Sequence, residues 1–249
     1  MPNLNLPETH HNIEIQENLN SWNKKPVLQK IYLEFYKLIA SQLNYNIDGK
    51  IVELGSGIGN MKMVIPEVIC TDIFANPWID QVENAYNLTF ENESVSNLIL
   101  FDVFHHLEFP GTALNEFKRV LKKEGRIIIF EPAMGLLGIL VYGLFHHEPI
   151  GLRKKINWFA DEKSNKDYYA AQGNANRIFC SSRYRDLLNN WEVVQIKKYS
   201  ALSYILSGGY SKRQVYPDNL FNFMKVLDKI LDFFPLLFAT RLMVVITKK

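Results

Sequence analysis

The chain has 249 residues, of which 47% are hydrophobic and 13% aromatic, so it can bury one full α/β core, and we expect a single domain over residues 1–249. Its formal net charge of +2 argues against the dense basic surface of a nucleic-acid-binding protein, so no nucleic-acid partner is expected. The two cysteines, Cys70 and Cys180, are too few for a disulfide framework and indicate a reducing, cytoplasmic setting. The polar start is unlike a signal peptide, and no run reaches the roughly 18 apolar residues of a membrane span.

Residues 1–48 are predicted to form an N-terminal helical cap. Residues 1–25 are polar and rich in asparagine, which is typical of an arm or a cap. A helix is expected from Pro26, because proline suits the first helical position and apolar residues then recur at helical spacing. These residues, which predict a helix packed on a sheet, are Val27, Leu28, Ile31, Tyr32, Phe35, Leu38, Ile39 and Leu43.

The stretch Ile51–Asn60, IVELGSGIGN, reads as a buried strand that runs into a tight turn. Glycine stands at every second position of the turn, as Gly55, Gly57 and Gly59. Glycine can adopt a positive φ, and it has no Cβ to keep a ligand away from the backbone. A strand, a glycine turn and a short helix present backbone N–H groups to a nucleotide-like ligand at the carboxyl end of a strand.

The spacing of these glycines separates two classes of cofactor. A dinucleotide-binding G-x-G-x-x-G pattern counted from Gly55 would need a third glycine where Asn60 stands. The pattern present is E-x-G-x-G-x-G, and it resembles motif I of the class I S-adenosylmethionine (SAM)-dependent methyltransferases. A carboxylate at Glu53 would attract the cationic ammonium of SAM and would repel a pyrophosphate. The resemblance implies cofactor contacts from Glu53, Gly55, Ser56, Gly57 and Gly59.

A second strand is predicted at Val68–Asp72, directly after a helix that Pro66 must keep short. An acidic side chain at the tip of the second strand can accept hydrogen bonds from both ribose hydroxyls of a nucleotide. Asp72 is therefore a candidate ribose ligand, with Ile73 beside it. A solvated aspartate at a strand end is the alternative, and Asp72 by itself does not exclude NAD.

The segment Val82–Leu107, VENAYNLTFENESVSNLILFDVFHHL, resembles the central signature of the UbiE-like or type 11 group of small-molecule methyltransferases. The matching parts are Asn84-Ala85, Leu88, Phe90, the strand Leu98–Phe101 and the closing His106-Leu107. The resemblance implies that Asn84 and Ala85 lie at the adenine, and that Phe101 and His106 also belong to the cofactor site.

Three positions depart from the pattern of that group. Asn84 stands in place of the aspartate that hydrogen-bonds the adenine amino group, Thr89 in place of a proline, and Asn97 in place of an aspartate at the start of the strand. The amide oxygen of Asn84 can still accept the adenine hydrogen bond, with less charge assistance. A non-catalytic nucleotide- or lipid-binding protein on the same fold therefore stays an alternative.

A third matching block, Ala113–Pro132, predicts a helix that Gly125 ends and a buried strand over Arg126–Glu131. Further along, Trp191–Lys198 and Arg241–Thr247 read as strands, and Phe221–Phe234 reads as a helix that Pro235 ends. Together these blocks predict a Rossmann-like, doubly wound α/β fold. Its sheet has seven strands with the last strand antiparallel, and a helical cap covers it.

Residues 133–176 are predicted to form an insertion or lid. Ala133–Phe145, AMGLLGILVYGLF, is apolar throughout, and three interpretations of it stay open: a buried core helix, a lid over an apolar substrate, or a shallow membrane contact. In methyltransferases of this kind the segment before motif I often covers the cofactor or substrate. That resemblance makes Trp22 and Tyr32 candidate lid residues, with core packing as the alternative for Tyr32.

The six histidines form three adjacent pairs, at positions 10–11, 105–106 and 146–147. Methyl transfer to a hydroxyl requires removal of its proton, so a base near the methyl donor is the residue to seek. His106 is one candidate, with a structural or cofactor-contact role as the alternative. His147, which Glu148 could orient, is the second. Adjacent histidines seldom face one ion, and no His-x-x-x-His or Cys-x-x-Cys pair is present, so no metal is expected.

The sequence thus predicts SAM-dependent methyl transfer, with S-adenosylhomocysteine (SAH) as product, to a small-molecule acceptor with an apolar part. A lipid-linked, quinone-like, polyketide or sugar intermediate would fit. An NAD-type oxidoreductase is an alternative that Glu53 and Asn60 disfavour. The atom methylated, the oligomeric state and contact of residues 133–145 with a membrane stay open.

Overall fold

A computed structural model describes residues 6–161 and 169–249, with side chains from residue 11 onward. Helices α1 to α8 span Leu6–Lys24, Pro26–Ala40, Pro110–Val120, Leu136–Leu144, Asn174–Phe179, Leu202–Ser207, Phe221–Leu231 and Pro235–Phe238. Strands β1 to β7 span Lys50–Leu54, Ile69–Asp72, Gln81–Val82, Val95–Phe101, Leu121–Pro132, Trp191–Ser200 and Ala239–Lys248. Short 3₁₀ turns lie at Asn60–Met63, Phe104–His106, Ser182–Leu188 and Asp218–Leu220.

The seven strands form one sheet in the order β3-β2-β1-β4-β5-β7-β6. Strands β1 to β5 pair in parallel, and β7 pairs antiparallel with both β5 and β6. This confirms the predicted seven-stranded sheet with its last strand antiparallel. Because β1 to β5 are parallel, their carboxyl ends meet at one edge of the sheet, and the candidate site is built there.

The central strand β4 is buried along its whole length, as expected for a parallel strand covered on both faces. Successive side chains point to opposite faces. Leu98 and Leu100 pack in the core on the face of α3, while Ile99 and Phe101 pack in the core on the face of α2. The helix predicted from Pro26 is therefore a packed layer of the fold, and it fixes the position of the cap.

The structure differs from the prediction at the end of α3. The helix ends at Val120, and Gly125 lies inside β5 instead of ending the helix. Pairing of Leu121 with Val95 extends the strand toward the helix, and Glu124 adopts a φ of +62° within the irregular part of the pairing. The helix predicted over Phe221–Phe234 also ends early, at Leu231, and Pro235 begins α8.

The apolar run within the predicted 133–176 insertion forms α4, but the helix is not buried. Gly138 and Tyr142 are its buried residues, and Tyr142 Oη donates a hydrogen bond of 2.9 Å to the carbonyl oxygen of Thr240 in β7. A buried core helix is therefore the wrong interpretation. No helix in the described ranges is long and apolar enough to cross a membrane. Residues 162–168 of the insertion lie outside the described residues.

Candidate functional site

The glycine loop after β1 lies at the centre of the sheet edge. Gly55, Gly57 and Gly59 have φ values of 67°, 54° and 67°, which are in the left-handed region that favours glycine. A Cβ on Gly59 would lie 2.5 Å from the carbonyl oxygen of Trp78, so this turn also requires a close backbone approach. The sequence pattern predicted this loop, although the element that follows is one 3₁₀ turn.

Hydrogen bonds to β2 hold the loop in place. The Ser56 N–H donates to the carbonyl oxygen of Thr71 at 2.8 Å, and the Thr71 N–H donates to Ser56 Oγ at 3.0 Å. Thr71 Oγ1 also donates to the carbonyl oxygen of Glu53 at 2.8 Å. The loop is thus positioned before any ligand binds.

Glu53 lies in β1 beneath the loop, with 4% of its surface exposed. Burial raises the pKa of its carboxyl group to about 7, and the charge of Asp72 adds to the increase, while hydrogen bonds with Ser56 and Cys70 oppose it. Cys70 Sγ lies 3.8 Å from Glu53 Oε2. Among the described ion pairs, none includes Glu53, so this buried carboxyl would be stabilised as an anion by a cationic ligand group.

Asp72 ends β2 and faces the glycine loop. Its Oδ2 accepts a hydrogen bond of 3.0 Å from the Gly57 N–H, and its Oδ1 accepts one of 2.7 Å from the Ile73 N–H. The Ile73 side chain is exposed. His11, which α1 carries, places Nε2 at 3.2 Å from Asp72 Oδ1. The hydrogen bond and charge of Asp72 outweigh burial and raise the pKa of His11.

Helix α1 closes over this part of the edge. The Ile15 Cδ1 atom would lie 3.6 Å from a Cβ on Gly57. Trp22 is buried, and its ring meets Tyr32 edge-on at a centroid distance of 6.1 Å. Tyr32 stacks on Phe101 at 5.4 Å. Phe101 therefore packs beneath the cap, and Tyr32 belongs to the core, which was the alternative to a lid role.

Asn84 and Ala85 follow β3 at the same edge of the sheet. Asn84 is exposed, and its Oδ1 accepts a hydrogen bond of 2.9 Å from the Tyr86 N–H. An amide oxygen has two lone pairs, so this turn leaves capacity for a second donor. The structure thus brings Asn84 and Ala85 to the correct edge, on its outer part.

Two histidines after β4 converge on acidic side chains. The His105 ring is buried, with Nδ1 at 2.6 Å from Glu131 Oε2 and Nε2 at 3.4 Å from Glu148 Oε2. His106 donates from Nδ1 to the carbonyl oxygen of Tyr169 at 3.1 Å and places Nε2 at 3.7 Å from Glu148 Oε1. Burial lowers the pKa of His105, but Glu131 and Glu148 outweigh it and raise the pKa above the usual value. Burial and the charge of His105 lower the pKa of His106.

Comparison with known protein families identifies the domain that contains this edge of the sheet. The family model described as Methyltransferase domain matches residues 52–129, which contain the glycine loop, Asp72, Asn84 and the His105-His106 pair. Residues 52–129 carry a SAM-dependent methyltransferase domain. The matched residues include the motifs that led us to predict SAM rather than NAD as the cofactor. Membership of the UbiE-like group stays a prediction.

A solved structure shares the fold of this chain. A SAM-dependent methyltransferase from Thermotoga maritima, a possible histamine N-methyltransferase, is similar with a TM-score of 0.56 and 16% identity, over 96% of this chain and 99% of that one. A geranyl diphosphate C-methyltransferase from Streptomyces coelicolor A3(2) is similar with a TM-score of 0.49 and 11% identity, over 89% and 80%. No curated protein matches significantly.

SAM is the cofactor of this methyltransferase, and the sheet edge fits it. The buried Glu53 carboxyl suits a cationic ammonium, three glycines with positive φ form the turn after β1, and Asp72 presents a carboxylate at the tip of β2. When bound, SAM supplies an electrophilic methyl group. The chain itself must hold the cofactor, exclude water and position the acceptor.

The second candidate base, His147, is not where the sequence predicted it. The His147 ring is exposed and stacks on His146 at a centroid distance of 4.7 Å, while Glu148 turns inward to His105 and His106. His147 and Glu148 lie in a bend in which the His147 ring is exposed and the Glu148 side chain is buried. The described ion pairs of Glu148 are with His105, His106 and His146, and they do not include His147.

Sequence reasoning also missed an ion pair between the buried Arg241 in β7 and the partly exposed Asp102 after β4. The Arg241 guanidinium lies 4.5–5.7 Å from the centroids of four rings, those of Phe35, Phe101, Phe130 and Tyr204. The signal was a single arginine at the start of an otherwise apolar strand. Glu131 was missed too, as it reads as the ordinary polar end of a buried strand.

Proposed function

We propose that this methyltransferase transfers the methyl group of SAM to a small-molecule acceptor that has an apolar part. The proposal of an apolar acceptor rests on the outer face of α4, a helix that begins just after the carboxyl end of β5. Leu136, Leu140, Leu144 and Phe145 are 64%, 51%, 69% and 66% exposed. Large exposed apolar surfaces are rare in proteins without a binding role for them, so an apolar ligand part fits this face.

The cofactor assignment follows the geometry of the edge. Glu53 would meet the ammonium group of SAM, and Gly55, Ser56, Gly57 and Gly59 would line its methionine part. Asp72 would accept the ribose hydroxyls with Ile73 beside it. Asn84 and Ala85 would contact the adenine. Phe101 would support the pocket from below, and His106 would lie toward the methyl donor.

We further propose that the acceptor is presented from a lipid surface, on which α4 and α8 rest. The two helices pack side by side, and neither carries a charged residue. Phe233, which lies just before α8, and Leu236 within it are 81% and 80% exposed. Exposed apolar side chains on an uncharged surface suit shallow insertion between lipid headgroups.

Methyl transfer can be tested with SAM that carries a radioactive methyl group. The purified protein would be incubated with a total lipid extract or with an aqueous metabolite extract, and the label counted in organic and aqueous phases. We expect label in the organic phase, and none with the Gly57→Val variant. Label in the aqueous phase would contradict the apolar acceptor, and no transfer to either extract would contradict the proposed function.

The lipid contact has a separate test in cosedimentation with phosphatidylcholine vesicles. Leu140→Glu would place a charge on the outer face of α4 and should reduce vesicle binding. Tyr45→Glu is the matched control, because Tyr45 is 61% exposed and precedes β1 at the opposite edge of the sheet. Equal binding by both variants would overturn the proposal, as would a stable dimer in solution that Leu140→Glu disrupts.

A further inference from the structure

We propose that His105, His106 and Glu148 bind a divalent metal ion of the Zn²⁺ class. Each residue offers one ligand atom, and the three atoms lie within 4.8 Å of one another. Imidazole nitrogens with one carboxylate oxygen are a ligand set typical of zinc sites that keep a position open for water or substrate. This differs from the prediction that adjacent histidines would not face one ion.

The distances fit a tetrahedral ion. Ligands at about 2.0–2.2 Å from Zn²⁺ in tetrahedral arrangement lie about 3.3–3.5 Å apart. Here Nε2 of His105 lies 3.4 Å from Oε2 of Glu148, and Nε2 of His106 lies 3.7 Å from Oε1 of the same carboxylate. Since the three ligand atoms lie within 4.8 Å of one another, side-chain rotations that bring them closer would complete the set.

Both imidazole rings are held by their second nitrogen. Nδ1 of His105 lies 2.6 Å from the Glu131 carboxylate, and Glu131 is itself fixed by the Phe104 N–H at 2.5 Å. Nδ1 of His106 must carry a proton, because the Tyr169 carbonyl oxygen can only accept. Carboxylate and backbone carbonyl partners of this kind orient metal-binding histidines through the nitrogen that is not a ligand. Both Nε2 atoms are therefore directed to the same side.

Gln172 provides an independent indication of a ligand. Its side chain is 2% exposed, and Nε2 donates to Glu148 Oε2. Its Oε1 atom is buried and lacks a hydrogen-bond partner among the described residues. A buried amide oxygen beside three potential ligands suits a metal ion or its bound water. The Ala171 N–H, which donates to the His105 carbonyl oxygen at 3.0 Å, fixes this segment against the histidines.

The cluster lies after β4 and beside the carboxyl end of β5, at the edge that holds the glycine loop. A Cβ on Gly55 would clash with Val103 Cγ2, so the loop packs closely on the segment that carries the histidines. A metal ion at this place would bind an oxygen of the acceptor and lower its pKa. This role rests on the proposed function, whereas metal binding does not.

The test is metal content and affinity of the tag-free full chain. After dialysis against a chelator, Zn²⁺ would be added back, and binding measured by calorimetry and by elemental analysis after desalting. Co²⁺ would be added in parallel, because its visible absorption reports tetrahedral coordination. We expect one tightly held ion per chain and a tetrahedral Co²⁺ spectrum.

Three variants distinguish the site from adventitious binding. Glu148→Gln and His106→Gln should each weaken Zn²⁺ binding by at least about 100-fold, since loss of even a supporting partner costs roughly 10–100-fold. His147→Ala is the matched control and should bind normally, because His147 is exposed and stacks on His146. Circular dichroism would confirm that each variant is folded, and the His106 side chain, which is 34% exposed, should tolerate substitution.

SAH titration of the same samples separates the two proposals. Zn²⁺ binding without SAH binding would overturn the proposed function and leave the metal site standing. No stoichiometric Zn²⁺ binding by a folded wild-type chain, or equal binding by Glu148→Gln, His106→Gln and wild type, would overturn the metal site. The His105 ring would then be an ion-pair bridge between Glu131 and Glu148.

Discussion

Asp72 Oδ2 accepts a hydrogen bond of 3.0 Å from the Gly57 N–H, and this contact joins the tip of β2 to the glycine loop of β1. The same carboxylate therefore shapes the loop and faces the proposed ribose position. Asp72→Asn keeps an oxygen acceptor but removes the charge. Since hydrogen bonds to charged groups contribute about 1.5–3 kcal/mol, we expect SAH affinity to fall roughly 10- to 100-fold in calorimetry. An unchanged dissociation constant would contradict the ribose assignment.

Gly57→Val tests the loop itself. Gly57 has a φ of +54°, and a branched side chain there would be strained and would meet Ile15. We expect SAH binding to be lost and the free energy of unfolding to fall by about 1–2 kcal/mol, as measured by urea denaturation. Normal SAH affinity in the folded variant would rule out the assigned methionine position.

The buried Glu53 carboxyl predicts a pH dependence of stability. Its pKa rises from 4.5 in the unfolded chain to about 7 in the folded protein, so the folded state holds the proton more tightly. The free energy of unfolding should therefore decrease as pH rises from 4.5 to 7, by up to about 3 kcal/mol. Glu53→Gln should remove this contribution. If the free energies of unfolding of the wild type and of Glu53→Gln, measured by urea denaturation, changed with pH in the same way, this prediction would be refuted.

The same carboxyl predicts how SAH binding responds to pH. An ammonium group beside Glu53 favours the ionised carboxylate, so binding should tighten as pH rises from 6 to 8, around the pKa of about 7. Calorimetry in two buffers of different ionisation enthalpy would also detect release of a proton. Binding that weakens over this range would place the ammonium elsewhere.

The Asp102–Arg241 pair predicts that substitutions of its two partners destabilise the protein to different extents. Arg241 is 2% exposed at the side chain, and removing its partner leaves a buried charge, which typically costs about 3–5 kcal/mol. Asparagine at position 102 tolerates the φ of +56°, so Asp102→Asn removes only the negative charge that pairs with Arg241. We expect it to destabilise more than Arg241→Met, which leaves no buried charge. Glu93→Gln removes an exposed carboxylate that pairs with Lys248, should change stability little, and serves as control.

The fold and the cofactor edge were predictable because they depend on local patterns. Buried strands show as apolar runs, the left-handed turn shows as alternating glycines, and Asp72 marks a strand end. The prediction that Gly125 ends the helix was wrong, because a glycine that follows lysines is typical of a helix end but is not confined to it. Pairing of Leu121 with Val95 outweighed that local signal and began the strand earlier.

The acidic and basic groups around the histidines were less accessible to sequence reasoning. The inward direction of Glu148 depends on contacts with His105 and Gln172, which come from distant parts of the chain. Arg241 needs Asp102 and an aromatic cage that four separate elements build. Such partners become visible when tertiary packing is known, since neither periodicity nor spacing encodes them.

The central claim is that the glycine loop, Glu53 and Asp72 form a SAM site. Calorimetric titration of the full chain with SAH, alongside NAD and a Glu53→Ala, Asp72→Ala double variant, tests it most directly. We expect micromolar SAH binding by the wild type, no binding by the folded double variant and no binding of NAD. Failure of the folded wild type to bind SAH, or equal SAH binding by the double variant, would contradict the claim.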